Sequence, residues 1–193
     1  MNLNKLILLS LFILTTVSCD EQKPIIQNIE VTKKDNWKDV LEDQIKLLGH
    51  RNWIVVVDKA YPLQSNTGIT TLLSDTGQLE TLKYVADVID RQQHIKPIIY
   101  VDKEIDFIEE SAAPGISKYR ESLRNLLEKE SFNKIIHEDI ITMLDKAADQ
   151  FKIIIIKTDF TIPYTSVFFQ LDCKYWNTES ELLLRKKIIN SKE

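Results

Sequence analysis

The chain has 193 residues, with 25 Lys and Arg against 29 Asp and Glu, a formal charge of −4. That mildly acidic balance excludes the basic face that nucleic-acid binding asks for. Four Gly and two Cys leave no phosphate-cradling glycine loop, no disulfide framework and no paired-cysteine metal spacing.

The N-terminus, "MNLNKLILLSLFILTTVSC", carries Lys5 and then a mostly apolar run from Leu6 to Val17. A bilayer span needs about 20 apolar residues, so this run is short for one. A charged start, a short apolar core and a small residue at the end describe a secretory signal. The end resembles a bacterial lipobox: Ser18 precedes Cys19, with Thr16 where Leu is usual. The expectation is a signal peptide over 1–18, a lipidated Cys19 with a tether over 19–35, and one domain over 36–193. The lipid on Cys19 would hold the protein to the membrane of a bacterial cell envelope, on the periplasmic face or the cell surface. An ordinary cleaved signal with an incidental Cys is the alternative. Removing 1–18 takes away Lys5 and moves the charge from −4 to −5. Cys173 is then the single remaining thiol, which fits a small core residue better than a nucleophile.

Asp20 to Asp35 is polar, holds Pro24 and reads as tether and irregular lead-in. Trp37, Val40, Leu41, Ile45 and Leu48 then recur at helical spacing, with Asp35 or Asn36 to cap the helix and Gly49 to end it. "WIVVV", Trp53 to Val57, is apolar without alternation, as a strand covered on both faces would be. "AYPLQSNTG" is a loop. Ile69 to Ser74 is expected as a short helix. Leu79 to Arg91 is a second clear helix, on Leu79, Leu82, Val85, Ala86 and Ile89. "KPIIYV", Lys96 to Val101, is the next strand.

"EIDFIEESAAPG", Glu104 to Gly115, supports no single assignment, and the acidic run Asp102 to Glu110 fits a solvated face better than a metal site. Ser117 to Glu130 is helical, with an apolar stripe of Tyr119, Leu123, Leu126 and Leu127. Glu138 to Gln150 is helical too, with His137 as a solvated start. "KIIIIKT" and "YTSVFFQLDC" read as strands, and the tail "ESELLLRKKIINSKE" as a helix or an extended arm. Strands alternating with helices give an α/β class: a single domain with a largely parallel central sheet flanked by helices.

In open α/β sheets ligands bind outside the carboxyl ends of the strands. Asp58 is at one such end; Thr158 and Asp159 are at another. His50 approaches the opposite end of the strand that carries Asp58. If the two serve one site, a neighbouring subunit would bring them together. No serine or cysteine nucleophile turn is present. His50, Asp58, His137, Lys146, Asp159 and Tyr164 remain for acid–base and hydrogen-bonding chemistry. Residue type alone leaves bland roles open: His50 as a helix-end cation, Asp58 or Asp159 as a turn residue, Tyr164 as a packed aromatic, Lys146 as a solvated charge.

"LGHRNWIVVVDKAYP" resembles the opening motif of the D-ribose pyranase / L-fucose mutarotase family: a Gly-His turn, an apolar strand, then Asp, a small residue, one variable residue and Pro. "IIKTDFTIPYTSVFFQLDC" resembles its closing motif. The likeness runs from about Leu41 to Cys173. It implies a pyranase/mutarotase-like fold and interconversion of monosaccharide ring forms or anomers by general acid–base catalysis. It also implies His50 and Asp58 as catalytic groups and Tyr164, Lys146 and Ser166 as substrate-binding ones. The substrate would be a pentose or 6-deoxyhexose, with no cofactor and no metal, in a ring-shaped homo-oligomer whose subunits share sites. The chain departs from the family's pattern twice. Asp159-Phe160 replaces Gly-Glu after Thr158, and Thr165-Ser166 replaces a small residue and Asn after Tyr164. Those departures motivate the alternative, a sugar-binding or structural lipoprotein on the same fold without turnover.

Overall fold

The computed structural model describes residues 36–127 and 131–191. The expected signal peptide, the Cys19 lipid and the tether lie outside the described residues. Five α-helices are assigned among the described residues: α1 (Trp37–Gln44), α2 (Gln78–Asp90), α3 (Ile116–Leu126), α4 (His137–Ala148) and α5 (Thr178–Asn190). The strands are β1 (Trp53–Val57), β2 (Ile69–Leu73), β3 (Ile95–Asp102), β4 (Phe132–Ile135), β5 (Ile153–Lys157) and β6 (Val167–Cys173). They form one sheet in the order β2-β5-β1-β6-β3-β4. β1 pairs β5, β2 pairs β5 and β3 pairs β4, all parallel, while β6 runs antiparallel between β1 and β3.

β1 shows why the sheet is covered on both faces. Its side chains alternate in direction, as those of any strand must. Ile54 and Val56 join a core with Leu41 of α1, Leu82 and Val85 of α2, and Leu123 of α3. Trp53, Val55 and Val57 join a second core with Ile140, Leu144 and Ala148 of α4. Phe168 and Phe169 split the same way, one to each face, and both are fully buried. Full burial of a side chain of that size stabilises by about 1.5–3 kcal/mol.

The two long apolar runs, the helix over 78–90 and the closing strand stand where periodicity puts them, and the Asn36 side chain accepts from the Lys38 amide at the start of α1. Three expectations need correction. Ile69 to Ser74 is not a helix but the edge strand β2, in register with Ile153–Lys157. Six residues are too few for periodicity to separate helix from strand, and pairing along β5 decides it. β4 was not anticipated; it adds a parallel edge beside β3. Cys173 is only half-buried. The tail resolves to a helix, α5, capped by Asn177, with no residue buried.

Candidate functional site

Five strands end, and one begins, at the same edge of the sheet. The carboxyl ends of β1, β3 and β5 bring Asp58, Asp102 and Thr158 there. The reversed direction of β6 brings the turn before it, Tyr164 to Ser166, to the same edge. β4 ends two residues before His137, the first residue of α4. The Glu104 carboxylate accepts the His137 backbone N–H there, an anion at the positive end of a helix.

Asp102 is fully buried and its Oδ1 lies 2.9 Å from His137 Nδ1. The ring of His137 meets that of Tyr164 edge-on, with centroids 5.6 Å apart. Burial pushes the Asp102 carboxyl above the ordinary range, the hydrogen bond to His137 opposes that push, and the charges of Glu104 and Asp58 add to it. The same hydrogen bond lifts the His137 imidazole above its usual value, against the effect of its own burial. With Nδ1 engaged by the carboxylate, Nε2 is the nitrogen left to trade protons. Beside them sits Tyr61, buried, with its phenol pushed upward chiefly by burial. Among the described residues neither Tyr61 OH nor Asp102 Oδ2 has a hydrogen-bond partner. Buried polar atoms are rarely left so, and both offer capacity to a bound hydroxyl.

A buried polar network fixes the turn that carries Tyr164. Gln78, the first residue of α2, donates to the Thr165 carbonyl at 2.9 Å and accepts from Thr158 Oγ1 at 2.6 Å. Tyr119 of α3 donates to the same carbonyl at 2.8 Å. Tyr164 itself takes a left-handed backbone, φ 56°, and stays partly exposed. A non-glycine residue in that region is held there by its surroundings, and these bonds are the restraint.

The residues singled out by sequence separate into three places. Asp58 and Tyr164 reach the carboxyl edge, where the Asp58 carboxylate also accepts the Ala60 amide at 2.7 Å. Ser166 lies at that edge too, but buried. Asp159 is nearby and pairs with Lys59 at the surface. Lys146 is exposed, nine residues along α4 from His137. Nine residues of helix span about 13 Å, so within one chain Lys146 is not brought to this edge. His50 stands at the opposite edge, with β1, about 17 Å of strand, between it and Asp58.

There His50 Nδ1 meets Asp172 Oδ1 at 3.0 Å, with Lys96 on the other oxygen at 3.6 Å. Burial alone would raise the Asp172 carboxyl, but the Cys173 amide and His50 bonds outweigh it and hold it below the usual range. The pair lines a cleft of about 590 Å³ with Tyr175, Trp176 and Glu181.

Sequence reasoning missed the Asp102–His137 pair. His137 is not a solvated helix start, and Asp102 does not belong to the solvated acidic face. The available signal was a strand ending in Asp, the same feature that marked Asp58. Tyr119 was legible only as part of a helical apolar stripe, and Gln78 stood just before the expected helix start at Leu79. Among the described residues no group of three or more His, Cys, Asp or Glu is placed to hold a metal ion. No described helix is long and apolar enough to cross a membrane.

Comparison with known proteins adds a lineage to this geometry. The ribose-bound RbsD of Bacillus subtilis superimposes with a TM-score of 0.50 at 19% identity, over 69% of this chain and 91% of that one. The L-fucose-bound fucose mutarotase of Streptococcus pneumoniae gives 0.47 at 16%, over 72% and 97%. FucU of Bifidobacterium longum gives 0.47 at 14%, over 69% and 93%. No curated protein matches by sequence. The model of the RbsD / FucU transport protein family matches residues 33–173, most of the chain and both site-bearing motifs, and the chain belongs to that family.

Proposed function

We propose that this protein interconverts ring forms or anomers of a monosaccharide by general acid–base catalysis. The observation that carries the reading is the Asp102–His137–Tyr164 group at the carboxyl edge, with unpartnered polar atoms on Asp102 and Tyr61 beside it. Family membership and the ribose held by the Bacillus subtilis relative support the substrate class. Opening a sugar ring needs a proton taken from the anomeric hydroxyl and one delivered to the ring oxygen. Reclosure reverses the transfers. An imidazole, which both takes up and gives back a proton, performs both without cofactor or covalent intermediate.

In this reading Asp58 and Tyr164 hold sugar hydroxyls, with Ser166 behind them, and His137 is a second imidazole in reach of the sugar. His50 enters from another copy of the chain, whose opposite edge would close the site; Lys146 contributes only if that copy brings it. The lipid on Cys19 would fasten the assembly to a membrane of the cell envelope.

The experiment is saturation-transfer NMR of D-ribose and L-fucose exchange with the wild-type chain, His137→Ala and His50→Ala. Removing a positioned acid–base group should slow enzyme-dependent exchange by about 10²–10⁴-fold. No acceleration by the wild-type protein, with sugar still bound in calorimetry, would replace this reading by a sugar-binding protein without turnover. Asp159-Phe160 and Thr165-Ser166, the departures from the family's pattern, favour that second reading.

A further inference from the structure

The His50 cleft is built partly from residues that the family match leaves out. That match ends at Cys173, yet Tyr175, Trp176, Asn177, Thr178, Glu181 and Leu182 line the cleft beside His50 and Asp172. A volume of about 590 Å³ falls in the range of small-molecule sites. Trp176 is 44% exposed, whereas Trp37 and Trp53 are 3% and 2% exposed in the cores. An exposed indole is usually free to change rotamer. This one is tied: its Nε1–H donates to Glu181 Oε2 at 2.9 Å, and Glu181 Oε1 accepts from Arg185 Nε at 2.6 Å one turn further along α5. The ring is therefore held at the start of α5 while α5 itself buries nothing. A fixed aromatic face loses little entropy when a ligand stacks on it.

We propose that Trp176 is a stacking platform for a pyranose ring in the His50 cleft, and that it selects a 6-deoxyhexose over a pentose. The inference rests on the sugar reading above and narrows its substrate class. An indole face attracts a sugar through the polarised C–H bonds that cluster on one side of the ring. A 6-deoxy-galacto sugar offers such a side, extended by its C6 methyl. A pentopyranose lacks that methyl and covers less of the indole. The His50–Asp172 pair, at the same cleft, supplies polar partners for the hydroxyl edge. His50 Nδ1 is engaged by Asp172, which leaves its second nitrogen for the sugar. The helix α5 thus has a function that core packing does not give it: it fixes the indole through Glu181.

The test uses the full chain and tryptophan fluorescence. Because Trp37 and Trp53 are buried, a signal that changes on adding L-fucose reports Trp176. L-Fucose should quench or blue-shift the emission at lower concentration than D-ribose does, and Trp176→Phe should abolish the response. In the exchange assay Trp176→Ala should raise KM for L-fucose about tenfold, the size of one good aromatic contact. It should move KM for D-ribose less, and Trp176→Phe should recover most of the loss by keeping a ring. Saturating exchange kinetics with unchanged emission overturns the platform and leaves the enzymatic reading intact. So does an unaltered fucose KM in Trp176→Ala. Quenching by L-fucose without any exchange supports the platform and overturns turnover. Neither quenching nor exchange overturns both.

Discussion

At Asp102 a carboxylate and an imidazole share one buried hydrogen bond, and each changes what the other's proton costs. Burial raises Asp102, so on folding that group contributes unfavourably once pH climbs through the ordinary carboxylate range. His137 works in the other sense. Its folded pKa lies above the unfolded value, chiefly through the Asp102 bond. Its contribution is fully present below about pH 6.5 and is lost as pH rises through the lifted value. Asp102→Asn removes the charge that lifts the imidazole and leaves the burial that lowers it. The His137 resonance should then titrate at lower pH than in the wild type, read by imidazole NMR. An unchanged midpoint would show that the pair does not hold the proton in solution. None of this was visible in sequence, because a strand-terminal Asp and a pre-helical His are separated by 34 intervening residues and look like ordinary turn and cap residues.

At the scale of elements, composition and contact disagree most in α5. The tail carries "LLL" and "II", apolar clusters of the kind cores are made from, yet Leu182, Leu183, Leu184, Ile188 and Ile189 are all exposed. The helix is held by its Asn177 cap and by Glu181–Arg185, an i,i+4 pair. An exposed element adds little to the stability of the domain it follows. Deleting residues 175–193 should shift Tm by no more than about 3 °C in thermal unfolding, while removing the Trp176 response altogether. A loss well beyond that would mean α5 is buried against something in solution. β2 teaches the converse. "ITTLL" has no core of its own, and β5 makes it a strand by offering an unpaired parallel edge.

Across the whole molecule the decisive feature is one reversed strand. β6 runs against its five parallel companions, so Tyr164 arrives at the edge where Asp58, Asp102 and Thr158 leave. The same reversal carries Asp172 to the far edge, to meet His50. The proposed site therefore needs two copies, each giving a different edge. Mixing His50→Ala with Asp58→Asn chains under conditions that exchange subunits tests that arrangement. Each variant alone should be inactive, and about a quarter of the sites in a random mixture should be intact and recover exchange. A mixture no more active than its components would overturn the two-copy arrangement.

The sequence by itself determined the class of this protein, the two buried strands that anchor its sheet, its long amphipathic helices and the place of Asp58 at a strand end. Those are local matters: apolar runs, helical spacing, and acids or turns where strands end. Only the tertiary structure decided that Asp102 and His137 form a pair, that Gln78 and Tyr119 brace the Tyr164 turn, that β6 brings Tyr164 to the edge of Asp58, and that His50 meets Asp172 beside Trp176. Each of those depends on which strands lie side by side and in which direction. Strand order and direction are settled by burial on both faces of the sheet at once, a balance that no single stretch of chain contains.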